Sequence, residues 1–192
     1  KLQIMQLAVE HLTAQGYVYI GMDHFAKPDD ELALAQANGT LHRNFQGYTT
    51  HADCDLIAMG VSSISSVAES YSQNAKTLDE YYAALDKNQF PVIRGITLTD
   101  DDVIRREVIQ QLACHFQLSF ADIEKQFNLK FADYFAQELN ELAAMAQDGL
   151  LGLDAEGLVV TPRGRFLIRN ICMVFDVSLR AANAQTRFSK VI

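Results

Sequence analysis

The sequence predicts an α+β chain in two parts, strand-bearing as far as residue 97 and mainly helical beyond it. Three observations carry this. Two short runs lack a helical period: residues 17–22, aromatic and β-branched, and residues 56–63, apolar without alternation. After residue 98, apolar residues recur at helical spacing: Ile104, Val108, Leu112 and Phe116 are one such set. The 192 residues are 49% hydrophobic and 21% charged, enough for one large core or two small ones.

In chain order, Leu2, Met5, Val9 and Leu12 mark one face of a first helix, which Gly16 ends. Residues 17–22 read as a strand. Pro28, Asp29, Asp30 and Glu31 open a short helix that ends at Asn38-Gly39. Residues 41–51 are polar without a period and read as a loop. Residues 56–63 are apolar without alternation, as expected of a strand buried on both faces. Thr77 and Glu80 form a capping box, with Leu78, Tyr81, Tyr82 and Leu85 as the stripe behind it. Residues 92–96 fit a third strand or an extended linker.

Thr99 caps an acidic first turn, and the helix of Ile104 to Phe116 follows. Ser119 caps a shorter helix holding Ile123 and Phe127. A third runs from Phe131 through Phe135, Leu139 and Leu142 and stops at Asp148-Gly149. Residues 150–153 and 158–160 form a hairpin around Asp154 and Gly157. Thr161-Pro162 starts a last helix with Ile168, Ile171, Cys172, Phe175 and Leu179 on its buried face. Three helices, a hairpin and a return helix give a winged-helix-like order. The predicted domains are residues 1–97 and 98–192.

A winged helix raises the question of DNA. Residues 119–149 carry Asp122, Glu124, Asp133, Glu138, Glu141 and Asp148 against only Lys125 and Lys130. With a net charge of −8 for the chain, that surface repels phosphate, so no nucleic-acid partner is expected. Glycine-rich phosphate loops, HExxH and CxxC are absent. His51, Asp53 and Cys54 lie close in sequence but lack the spacing of a metal site, and no metal is expected. The cysteines, Cys54, Cys114 and Cys172, are odd in number and set in apolar contexts, which predicts buried thiols in a reducing cytoplasm. No apolar run reaches the ~20 residues of a membrane helix, and with no basic-then-apolar stretch at its start no secretory signal is expected. The start at Lys1, inside a helical pattern, predicts a piece of a longer protein.

Two features invite a ligand. Gly60-Val61-Ser62-Ser63 follows the second apolar run, where glycine lets backbone approach a ligand and serines offer small hydrogen-bonding groups. A strand-end turn explains the same residues equally well. Arg43 and Gln46, in the polar loop, would fix a polar ligand if the two strands are neighbours.

The stretches GMDHFAKPDDELA, LHRNFQGYTT, DLIAMGVSSIS, IRREVIQQL, FADYFAQEL and GRFLIRNICMVFD together resemble the oxygen-independent coproporphyrinogen III oxidase family of radical S-adenosylmethionine enzymes. The resemblance runs to the terminal FSKVI. It implies a partial (β/α) barrel whose CxxxCxxC motif holds a [4Fe–4S] cluster, with a helical domain over the barrel mouth. The reduced cluster cleaves S-adenosylmethionine to a radical. Two substrate propionates then become vinyls, turning coproporphyrinogen III into protoporphyrinogen IX. This sequence lacks CxxxCxxC, so residues 1–97 correspond to the end of the barrel and residues 98–192 to the cover domain. Alone, the chain is expected to be inactive and, with barrel faces uncovered, to self-associate.

By the same resemblance Gln46 and Ile64 contact S-adenosylmethionine, and no cluster ligand is present. Residues 162–192 hold six basic residues and one acid, Asp176, so Arg163 and Arg169 are candidates for the substrate carboxylates. Ion pairing with the acidic surface is the plainer role. The electron donor is left open. The competing classes are a non-catalytic winged-helix adapter for nucleic acid or protein and a related radical S-adenosylmethionine haem chaperone.

Overall fold

A computed structural model describes residues 2–52 and 54–183; Asp53 and the basic residues Arg187 and Lys190 lie outside them. Helix α1 (Leu2–Ala14) leads through Gly16, at φ +86°, into an antiparallel hairpin of β1 (Val18–Gly21) and β2 (His24–Ala26). Helix α2 (Glu31–Ala37) is capped by Asp30, whose carboxylate accepts from the Leu32 amide at 2.9 Å. A second hairpin, β3 (His42–Asn44) and β4 (Gly47–Thr49), occupies the segment read as a loop. Its strands of three residues are too short to show alternation, and its tip lacks the Asn-Gly pair that marks tight hairpins.

Next come β5 (Ile64–Val67), β6 (Ser70–Asn74), helix α3 (Leu78–Leu85) and β7 (Val92–Thr97). The three strands form an antiparallel sheet in the order β5-β6-β7. The alternative of a linker at 92–96 is thereby excluded. Every strand pair among the described residues is antiparallel, and no closed barrel is seen among them.

The expected strand over 56–63 does not form. Leu56 makes a lone bridge to Ser66, and Ile57 and Met59 are 75% and 86% exposed. An apolar run without alternation needs cover on both faces, and no described residue supplies it. The run's backbone groups turn to side chains instead: the Ala58 amide donates to Ser65 Oγ at 3.0 Å, and the Asn74 amide donates to the Gly60 carbonyl at 2.9 Å. The α3 stripe is likewise open, with Leu78 and Tyr82 exposed although the Thr77 cap forms as expected.

The second half begins with α4 (Asp100–His115), capped reciprocally by Thr99 and Asp102. Strand β8 (Gln117–Ser119), α5 (Phe120–Phe127), α6 (Phe131–Tyr134) and α7 (Ala136–Gln147) follow. Then come β9 (Leu151–Leu153), β10 (Gly157–Val160), α8 (Pro162–Arg165), α9 (Ile168–Met173) and α10 (Val177–Asn183). The sheet order is β8-β10-β9, so the predicted hairpin gains a third strand.

Two predicted helices are interrupted. Residues 131–147 break at Phe135 (φ −107°, ψ 29°), whose ring is enclosed by Phe131 and Phe175. The last helix is three pieces. Its first is held where a side chain at Gly164 would strike the Leu150 carbonyl, and its third is started by Asp176, whose carboxylate accepts from the Leu179 amide at 2.9 Å.

The main core gathers Val108, Leu112, Phe131, Phe135, Leu142 and Phe175, all fully buried. A smaller one holds Ile20, Leu41, Tyr48 and Cys114. Helix α4 serves both. Its Ala113 carbonyl accepts from Tyr48 Oη at 3.0 Å, its Cys114 carbonyl accepts from Gln36 Nε2 at 2.9 Å, and its Gln110 Nε2 donates to the Arg43 carbonyl at 2.7 Å.

Candidate functional site

Gln46 sits exposed at the tip of the β3–β4 hairpin, where its amide donates to Asn44 Oδ1 at 2.8 Å and fixes the turn. The preceding residue, Phe45, packs edge-on against Tyr71 of β6 with ring centroids 5.1 Å apart. Ile64 opens β5 directly opposite Gln73. Phe45, Ile64, Tyr71 and Ile96 supply the apolar lining of an open cleft of about 310 Å³, with Gln73 and Arg94 as its long polar side chains. The fold thus brings Ile64 and the turn that carries Gln46 to one sheet. A concave, mostly apolar surface with a few polar groups is the usual form of a small-molecule site.

The Gly60–Ser63 segment beside it is heavily tied down. Gly60 and Ser62 take positive φ, +101° and +58°. The Gly60 amide donates to Tyr81 Oη at 3.1 Å, Ser63 Oγ donates to the Met59 carbonyl at 2.8 Å, and the Ser62 amide donates to the Ala75 carbonyl at 2.7 Å. The small hydroxyl residues therefore have a structural task, whatever lies against the sheet. Arg43, proposed for a polar ligand, instead lies with its guanidinium carbon 5.7 Å from the centroid of the Tyr48 ring, and its Nε has no hydrogen-bond partner among the described residues.

Arg163 and Arg169 belong to the helical half. Both are exposed, on α8 and α9, elements that pack on β10 and α4. Arg163 Nη1 lies 3.5 Å from the Asp148 carbonyl, and neither arginine forms an ion pair among the described residues. Arg180, counted in the same basic stretch, has a structural role: it pairs with Glu138 at 3.2 Å and Glu141 at 3.2 Å. Glu138, 3% exposed, also takes Arg105 Nη1 at 2.9 Å. Burial works against the Arg105 charge, but hydrogen bonds to Glu138 and Asp101 more than offset it.

Cys54 is exposed, contrary to the expectation of three buried thiols, because the segment around it lacks cover. Cys114 and Cys172 are buried, and burial pushes each thiol up to about 12. Among the described residues no group of three or more His, Cys, Asp or Glu could hold a metal ion. No helix among them is long and apolar enough to cross a membrane.

Phe45, Tyr71 and Arg94 were not singled out from the sequence. One signal existed: Val92, Arg94 and Ile96 alternate with period two, which places the arginine on an otherwise apolar strand face. The cross-strand partners that complete the cleft are set by register alone.

Residues 98–167 match the family model for the HemN C-terminal domain. Over 192 residues the chain is 56% identical to the oxygen-independent coproporphyrinogen III oxidase of Escherichia coli K12 and 54% identical to that of Pseudomonas aeruginosa. That of Helicobacter pylori is 41% identical. Each alignment covers 100% of this chain and 42% of the relative, so the chain spans about two-fifths of the length of these relatives. A solved structure of the Escherichia coli coproporphyrinogen III oxidase HemN, described as a radical SAM enzyme, aligns with a TM-score of 0.88 at 56% identity. The alignment covers 93% of this chain and 41% of that one.

Proposed function

Taking the chain as the carboxy-terminal portion of a member of the oxygen-independent coproporphyrinogen III oxidase family, we propose that the polypeptide carrying it oxidatively decarboxylates two propionates of coproporphyrinogen III. The products are the two vinyls of protoporphyrinogen IX. The observation that carries this reading is likeness over all 192 residues at 56% identity to one such oxidase. S-adenosylmethionine and a [4Fe–4S] cluster are the cofactors of the whole enzyme, which works in the cytoplasm.

The chain's own residues fit the first cofactor and not the second. The cleft offers apolar walls at Ile64 and Phe45, and Gln46 follows Phe45 on a turn fixed by Asn44, an arrangement suited to a nucleoside with a polar tail. Ile64 would pack on it, and Gln46 would bond its polar edge. The cysteines do not fit a cluster: Cys54 is exposed, while Cys114 and Cys172 are buried with raised thiol pKa values. We assign no step through the cluster to this chain.

Residues 1–97 then form the end of the catalytic barrel and residues 98–192 a winged-helix-like cover domain. The order of α4, β8, α5, α7 and the β9–β10 hairpin, with β8 on the same sheet, supports that reading. Glu138, on the helix that would read DNA, is buried under two arginines, and the domain serves packing. The exposed Ile57, Met59, Phe90 and Ile93 are faces the remainder of the polypeptide covers. The isolated chain self-associates through them.

Arg163 and Arg169 attract or hold substrate carboxylates. Charge reversal of Arg169 in the full polypeptide should weaken coproporphyrin binding; unchanged affinity removes that role.

The whole reading is tested with the full polypeptide, its iron–sulfur centre reconstituted anaerobically, given coproporphyrinogen III, S-adenosylmethionine and a chemical reductant. Protoporphyrin fluorescence after oxidation should appear. Absence of product together with a salt-dependent shift of DNA by the chain would favour a winged-helix adapter.

A further inference from the structure

We propose that Arg94 is the anion-recognising residue of the β5–β6–β7 cleft, taking a carboxylate of the small molecule that lies there. The proposal rests on the functional reading above.

Strand register supplies the first argument. Gln73 stands opposite both Ile64 and Arg94, and Tyr71 stands opposite Ile96. Side chains two apart share a face, so Ile64, Tyr71, Gln73, Arg94 and Ile96 form one surface. Phe45 leans over it from the hairpin tip. Among the described residues a single cation, Arg94, stands on this surface, beside aliphatic and aromatic neighbours.

The second argument is how that cation is held. Arg94 Nε donates to Gln73 Oε1 at 2.8 Å, and Gln73 Nε2 donates to the Ser62 carbonyl at 3.0 Å. Gln73 therefore orients the guanidinium through one nitrogen and is itself anchored in the Gly60–Ser63 turn. Its amide is neutral, so the positive charge is steered without being matched. Arg105 and Arg180, by contrast, are each fixed by carboxylates. Among the described residues no ion pair engages Arg94, and both terminal nitrogens remain as a fork of the shape that takes a carboxylate through two parallel hydrogen bonds. A charge on an edge strand also deters strand pairing. That role asks only for charge and leaves the clamp from Ser62 through Gln73 unexplained.

Two carboxylate sources share this chemistry: the amino-acid end of S-adenosylmethionine and a propionate of the tetrapyrrole. Binding to the full polypeptide separates them. The probes are S-adenosylmethionine against its decarboxylated form, and coproporphyrin III against its tetramethyl ester, each by equilibrium titration. Arg94→Gln should weaken one carboxylate probe about tenfold or more, the size of a lost charged hydrogen-bond pair. It should leave the matching carboxylate-free probe unchanged. Arg94→Lys should recover part of the loss. Gln73→Leu should give an intermediate loss, as a positioning residue. The probe that responds names the source. Binding of both carboxylate probes to Arg94→Gln as tightly as to the parent overturns the proposal alone. Failure of the parent to bind either probe overturns it together with the functional reading.

Discussion

In residues 98–183, apolar patterning ends in burial: Phe131, Phe135 and Phe175 are fully enclosed, and the helices around them meet in one core. In residues 56–97, stretches just as apolar end at the surface. Ile57, Met59, Phe90, Ile93 and Ile96 are all exposed, and only Asn74, Ala75 and Pro91 in this span are buried. The same hydrophobic signal thus has two outcomes within one chain. Apolar patterning records the surroundings in which a segment works, and a segment whose neighbours lie elsewhere keeps the pattern without the burial.

The largest expected effect sits on the enclosed side of that contrast. Phe135→Ala removes a buried ring and should cost about 3–5 kcal/mol in a urea titration. Phe90→Ser, at 91% exposure, should change stability by no more than about 0.5 kcal/mol. Equal losses at the two sites would break the comparison. Glu138→Ala comes next. It leaves Arg105 and Arg180 facing each other without their shared carboxylate, and should cost about 3 kcal/mol in the same titration.

The helical half was the more legible in sequence. Thr99, Ser119 and Thr161 cap where their side chains predict, because a cap is a local bond between neighbours. What escaped depends on distant partners. Strand β8 has three residues and exists because β10 lies beside it. The break at Phe135 follows from the rings packed around it, and nothing in the periodicity of residues 131–147 announces it. In the first half, residues 56–63 have the composition of a doubly covered strand, and no described residue provides that cover. Of the proposed site, Gln46 and Ile64 are what the family resemblance implies. The cleft that Ile64 shares with Tyr71 and Arg94 comes from register, which the strand sequences leave open.

Smaller effects sharpen the contrast. Thr99→Ala should cost about 1 kcal/mol near neutral pH. The backbone and side-chain hydrogen bonds from Thr99 hold the Asp102 carboxyl below its ordinary range. A depressed carboxyl contributes stability above its unfolded pKa and loses it as pH falls through the folded value. The difference between parent and Thr99→Ala should therefore shrink below about pH 4, measured by denaturant titration across pH. A thiol reagent at pH 8 should label Cys54 in the native chain and spare Cys114 and Cys172, whose burial raises their thiols to about 12. Rapid labelling of all three would show that the helical half is not closed around α4 and α9.

The most direct test of the account is hydrogen–deuterium exchange on the full polypeptide, cluster reconstituted, with and without S-adenosylmethionine. Protection should rise on addition of the cofactor at the hairpin turn carrying Gln46 and along the strand that Ile64 opens. Protection elsewhere, with both segments exchanging as before, would contradict it.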